Sequence, residues 1–157
     1  MKKCVLILTV LITVVFILSS CQMSHERVID TLPDYFAYFE YLDPNSFRDY
    51  TFYCKYYYKN IESSTFGGNK YFKQVTNSDI SEILQFLNEY EMSVDASPEA
   101  TKVYDFDKSI ITAGDFFYIE TLEGKKVGET EYGKFEDYDL YYFDLDEQIL
   151  YYMHNNN

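Results

Sequence analysis

Tryptophan is absent from this chain, and cysteine and histidine are scarce, with three and two residues. Cys4, Cys21 and Cys54 show no Cys-x-x-Cys or Cys/His zinc spacing, so neither a redox pair nor a zinc site is written into the sequence. There is no Gly-Lys-Ser/Thr phosphate loop, no His-Glu-x-x-His, no Gly-x-Ser-x-Gly and no Ser-x-x-Lys, which removes the usual local signatures of nucleotide and hydrolase chemistry. No repeat of fixed period appears. Basic residues are also few. Thirteen Lys and Arg stand against 26 Asp and Glu, for a net charge of −13, which opposes nucleic acid and anionic lipid headgroups. Such a chain attracts cations or a basic partner, although acids also serve simply to keep an aromatic-rich protein in solution.

Aromatic residues are abundant, with 18 Tyr and 13 Phe, which is incompatible with a disordered tail. Lys2 and Lys3 open the chain, and a largely apolar run of about 14 residues follows from Val5 to Leu18. A bilayer-crossing helix needs roughly 20 apolar residues. A secretory signal core needs about 7 to 15, after positive charge and before small residues. No later stretch is apolar enough to span a membrane.

The run ends in Leu18-Ser19-Ser20-Cys21. That tetrad resembles the lipobox of bacterial lipoproteins, in which a branched apolar residue and two small residues precede the cysteine that receives a diacylglyceryl thioether. The resemblance covers only the first 21 residues or so. It implies lipidation of Cys21, cleavage between Ser20 and Cys21, and a body anchored to the extracytoplasmic face of the cell membrane. Two acyl chains make a lasting anchor, at ~0.8 kcal/mol per buried CH₂. Removing residues 1–20 leaves 11 bases against 26 acids, a net charge of −15. It also removes Cys4. Cys54 would then be the single unmodified thiol, and its strand-like alternation with Phe52, Tyr56 and Tyr58 marks it as a small buried residue.

The expected organisation is a signal peptide over 1–20, a polar lipidated tether over 21–27, and one domain over 28–157. Val28, Ile29, Leu32, Phe36, Phe39 and Leu42 keep helical spacing, with Thr31 as a cap and Asp43-Pro44 as the stop. A strand over Tyr35 to Tyr41 competes with that helix, because aromatics suit strands. Asp49 to Lys59 reads as a strand, Ser63 to Asn69 as a turn, and Tyr71 to Val75 as a short strand. The clearest helix spans about Ser78 to Glu91. Asp79 and Glu82 form its capping box, Ile80, Ile83, Leu84, Leu87 and Tyr90 its apolar stripe, and Ser81, Gln85, Asn88 and Glu89 its wet face. Ser97-Pro98 punctuates a loop. Val103 to Phe106 and Phe116 to Thr121 are strand-like, Glu123-Gly124 marks a turn into Lys125 to Val127, and 128–137 is a loop. Asp139 to Phe143 and Gln148 to Met153 form a hairpin. The fold class is α+β: a twisted antiparallel sheet, a meander ending in that hairpin, with one or two packed helices.

Two function classes remain. The first is a non-enzymatic membrane-anchored module that binds a protein or peptide. Strands bearing aromatics on both faces need cover on both, and one good helix leaves some tyrosines exposed. Tyr53 and Tyr57, which share a strand face with Lys55, are the candidate anchors, since tyrosine suits contact surfaces. The alternative is a small carboxylate-dependent hydrolase of cell-envelope glycan, recognisable by two acids converging in a concave pocket. No cofactor is implied. Asp144 and Asp146 are a weak calcium candidate, oxygen ligands at alternate positions without the glycine and terminal glutamate of a calcium loop. Acids at a hairpin are more commonly turn formers.

Overall fold

The terminal hairpin shows why both faces of this sheet are apolar. The computed structural model describes residues 24–42, 50–121 and 137–156. Strand β5 (Asp137–Asp144) and strand β6 (Ile149–Asn156) pair with Asp144 opposite Ile149 and Tyr142 opposite Tyr151. Alternate side chains point to opposite faces. Tyr138, Leu140, Tyr142, Tyr151 and Met153 join the main core on one face, called here the near face. Tyr141, Phe143, Leu150 and Tyr152 are buried on the far face.

Four further strands complete the sheet: β1 (Ala37–Leu42), β2 (Tyr50–Tyr57), β3 (Lys73–Gln74) and β4 (Phe116–Thr121). Their order is β1-β2-β6-β5-β4-β3, every pairing antiparallel. With its helices this is an α+β fold on an open antiparallel sheet, whose last three strands form the expected meander.

The chain divides into two compact units, Met1–Pro33 and Asp34–Asn157. In the first, residues Ser24–Ile29 form a helix, α1, where a polar tether was expected. Thr31 closes this helix rather than opening another, its hydroxyl donating to the Val28 carbonyl at 2.7 Å. All other elements of the described residues belong to the second unit. The helical spacing through Leu42 fails at β1, where the competing strand reading holds. The features expected over 1–23, 43–49 and 122–136, the Cys21 lipidation site and the Asp43-Pro44 stop among them, lie outside the described residues.

Helix α2 (Ile80–Asp95) covers the near face with Ile83, Phe86, Leu87, Tyr90 and Val94, all buried. Burying each such side chain contributes ~1.5–3 kcal/mol. Two tyrosine hydroxyls tie helix to sheet: Tyr138 donates to the Phe86 carbonyl at 2.7 Å and Tyr90 to the Phe52 carbonyl at 3.0 Å. Ser81, Gln85 and Asn88 are exposed as expected, but Glu89 is half-buried. Asp79 occupies the N-cap position without capping. Its carboxylate instead accepts from the Thr76 backbone at 2.9 Å and from Lys73 at 3.0 Å, so the capping box with Glu82 does not form as expected.

Ser97-Pro98 does not mark a loop. It starts helix α3 (Pro98–Val103), with proline in the first turn and the Ser97 hydroxyl accepting from the Ala100 N–H. The strand expected over Val103 to Phe106 is therefore absent. The far face is partly covered by the 58–72 segment: Phe66 stacks on Phe116 at 3.9 Å, and Phe72 meets Tyr141 edge-on at 6.4 Å.

Candidate functional site

Strand β1 is one edge of the sheet, the two-residue β3 being the other, and its sequence, Ala37-Tyr-Phe-Glu-Tyr-Leu42, carries one charge and no proline. Edge strands present main-chain donors and acceptors to any added strand, and proteins commonly blunt them with lysine, proline or bulges. Instead, this edge is aromatic. Five large apolar side chains are exposed among the described residues, and four of them lie here: Tyr35 (40%), Phe36 (59%), Tyr38 (59%) and Leu42 (52%). The fifth, Met92, stands on α2.

The rings are braced from behind by β2. On the far face Tyr35 packs edge-on against Tyr56 at 5.0 Å and Tyr38 at 5.8 Å, while Tyr38 stacks on Tyr56 at 6.3 Å. Behind Tyr56 lies Cys54, fully buried, its thiol pushed up to about 11 by burial. Phe36 turns to the other side, against Tyr57 at 6.4 Å, with the Lys59 ammonium 4.4 Å from its ring centre. Phe39 is half-buried beneath the Lys55 ammonium at 5.2 Å. Cations over ring faces add attraction of about 0.5–1 kcal/mol each at exposed sites.

The three residues singled out for partner binding have unlike settings. Tyr53 is 1% exposed. Its hydroxyl donates to Asp105 at 2.8 Å and its ring meets Tyr104 at 5.2 Å, so it is not the exposed anchor expected. The cover comes from the chain that follows α3. Burial first, then the Asp105 carboxylate, push the Tyr53 hydroxyl far above its ordinary range. Lys55 is bound to Asp105 at 2.6 Å. Tyr57 is half-buried beside Phe36, at the border of the exposed edge. Sequence reading missed Tyr35, Phe36, Tyr38 and Leu42. The signal for them was the competing strand over 35–41, followed by an edge position that no local pattern reveals.

A second polar grouping sits on the far face. Asp139 faces His154 across the β5–β6 ladder, with 2.8 Å between Oδ1 and Nδ1, and the same oxygen accepts from the Tyr152 hydroxyl at 2.7 Å. Asp137 adjoins them. Burial, and then the Asp139 charge, hold its carboxyl above the usual range against the opposing pull of His154.

Asp144 and Asp146 are placed by the hairpin turn. Asp144 Oδ1 accepts the backbone N–H groups of Asp146 at 3.0 Å and Glu147 at 2.9 Å. Gln148, at φ 59°, anchors that turn to Ile61: its side-chain amide donates to the Ile61 carbonyl at 3.0 Å, and its side-chain oxygen accepts the Ile61 N–H at 2.6 Å. Among the described residues no three His, Cys, Asp or Glu gather as a metal-binding group, and no helix is long and apolar enough to cross a membrane.

No family model, curated protein or solved structure matches the chain.

Proposed function

We propose that this chain is an extracytoplasmic lipoprotein, held to the membrane by lipid on Cys21, whose body binds a protein or peptide along the β1 edge of its sheet. The anchor rests on Leu18-Ser19-Ser20-Cys21. The binding role rests on one observation, the concentration of exposed large apolar side chains at 35–42. Interface energy collects in a few aromatic anchors, and an edge strand adds main-chain hydrogen bonds to them. Tyr57 and Lys59 border the same edge beside Phe36, whereas Lys55 is committed to Asp105.

Photo-crosslinking tests this reading. A benzophenone amino acid in place of Tyr38, irradiated in intact cells, is expected to yield a discrete adduct with another protein. The same probe in place of Gln85, on the exposed side of α2, is expected to yield none. Identical adduct patterns from both positions would remove the edge as the binding site.

Asp137, Asp139 and His154 favour a second reading, the carboxylate-dependent hydrolase of cell-envelope glycan, because two acids and a histidine share one sheet face. Turnover of purified peptidoglycan that disappears in Asp139→Asn would move the function to that site.

A further inference from the structure

We infer that the occupant of the β1 edge is an extended cationic segment of the pattern apolar–any–basic–any–apolar, added as a strand against Tyr38, Glu40 and Leu42. This rests on the edge-binding reading above. Every second residue of a strand shares a face, so Tyr38, Glu40 and Leu42 form one row, and all three are exposed. Their ladder partners on β2 are Tyr56, Cys54 and Phe52. The β2 side of the row is thus aromatic, and the residue directly behind Glu40 carries no positive charge.

An added strand sets one side chain directly opposite each member of the row, Cβ atoms about 4.5–5.5 Å apart. Apolar side chains opposite Tyr38 and Leu42 remove apolar surface on both partners. A cation opposite Glu40 makes the opposite-charge cross-strand pair that sheets favour. The pattern reads the same in both directions, so it holds for a parallel or an antiparallel guest. The net charge of −13 draws a cationic segment toward the protein before contact.

A second copy fits the edge less well. Two chains of net charge −13 repel. Antiparallel pairing of two β1 strands that sets Tyr38 against Leu42 also sets Glu40 against Glu40, like charges directly opposite. An anionic lipid surface is opposed by the same net charge.

The test titrates the full-length protein, in detergent micelles, with three end-blocked fluorescent heptapeptides. Threonine alternates in each with valine, a central residue and valine, the centre being lysine, glutamine or glutamate. Anisotropy is expected to rank lysine above glutamine above glutamate, with lysine about fivefold tighter than glutamate. Glu40→Lys is expected to reverse the ranking. Tyr38→Ser with Leu42→Ser, both exposed positions, is expected to abolish binding of all three while the protein stays folded, with the melting temperature lowered by only a few degrees through loss of the Tyr38 contacts to Tyr35 and Tyr56.

Equal affinities, or a ranking unchanged by Glu40→Lys, overturn the charge pattern and leave the edge reading standing. No peptide binding by a protein that still crosslinks a partner from position 38 overturns strand addition alone. Loss of both overturns the edge reading as well. A dimer dissolved by Tyr38→Ser, or binding to phosphatidylglycerol vesicles lost in that variant, overturns the inference in favour of a second copy or a lipid surface.

Discussion

Tyr53 donates its hydroxyl proton to Asp105 Oδ1 at 2.8 Å, across 52 positions of sequence. Lys55 takes the other oxygen at 2.6 Å. One carboxylate thus ties β2 to the chain leaving α3. Partial burial pushes the Asp105 carboxyl up, but the hydrogen bonds from Lys55 and Tyr53 prevail and hold it below the ordinary range. A lowered folded-state pKa adds stability above the unfolded value, and that stability is lost as pH falls through the folded value. Asp105→Asn is therefore expected to cost about 0.5–1 kcal/mol at neutral pH, a small figure because solvent screens this exposed carboxylate. The difference from wild type should shrink in acid below the usual carboxylate range. Paired urea denaturation curves across that window check it.

Leu87 is fully buried beneath α2, whereas Gln85 is exposed on the opposite side. Leu87→Ala is expected to cost about 2–5 kcal/mol. Small domains have only about 5–15 kcal/mol in total, so the melting temperature should fall by several degrees. Gln85→Ala should change it little. Equal losses would mean that the helix packs by another face.

Asp144 supplies an acceptor to its own turn through Asp146 and Glu147. Asp144→Ala is expected to destabilise the hairpin by about 1 kcal/mol, as for other side-chain caps on backbone N–H groups. Melting curves with calcium and with chelator are expected to coincide. A rise at micromolar calcium that Asp144→Asn removes would make the hairpin a metal site.

The lipid anchor has a direct readout. Cells grown with a clickable palmitate analogue are expected to label the wild type and Cys54→Ala, but not Cys21→Ala. Cys54 is fully buried in β2 and contributes no accessible thiol. Equal labelling of wild type and Cys21→Ala would remove the anchor from the proposal.

Where side-chain periodicity was strong and long, the elements were legible. The α2 stripe of Ile83, Leu87 and Tyr90 matches one period only, and β5 and β6, buried on both faces, were legible from their aromatic content and the turn residues Asp144 to Glu147 between them. The segment from Val28 to Leu42 was ambiguous because its aromatics fit both periods. Pairing of Tyr38 with Tyr56 and Leu42 with Phe52 favours the strand, a long-range effect that local spacing does not contain. Ser97-Pro98 was a helix start that looks the same as a loop when the helix behind it is a mere six residues.

From sequence alone came the α+β class, the antiparallel hairpin, the main helix and the face shared by Tyr53, Lys55 and Tyr57. These follow from spacing along the chain, which a strand or helix converts directly into direction. Tertiary structure alone decided depth and neighbourhood. Tyr53 and Tyr57 are the same residue type on the same face, yet Tyr104 and Asp105 close over the first and leave the second at the border. Asp139 and His154 meet because hairpin register sets them opposite each other. Which strand lies at the edge, and so which aromatics stay in water, depends on the order of all six strands. Burial is a property of the assembled sheet, and no segment carries it by itself.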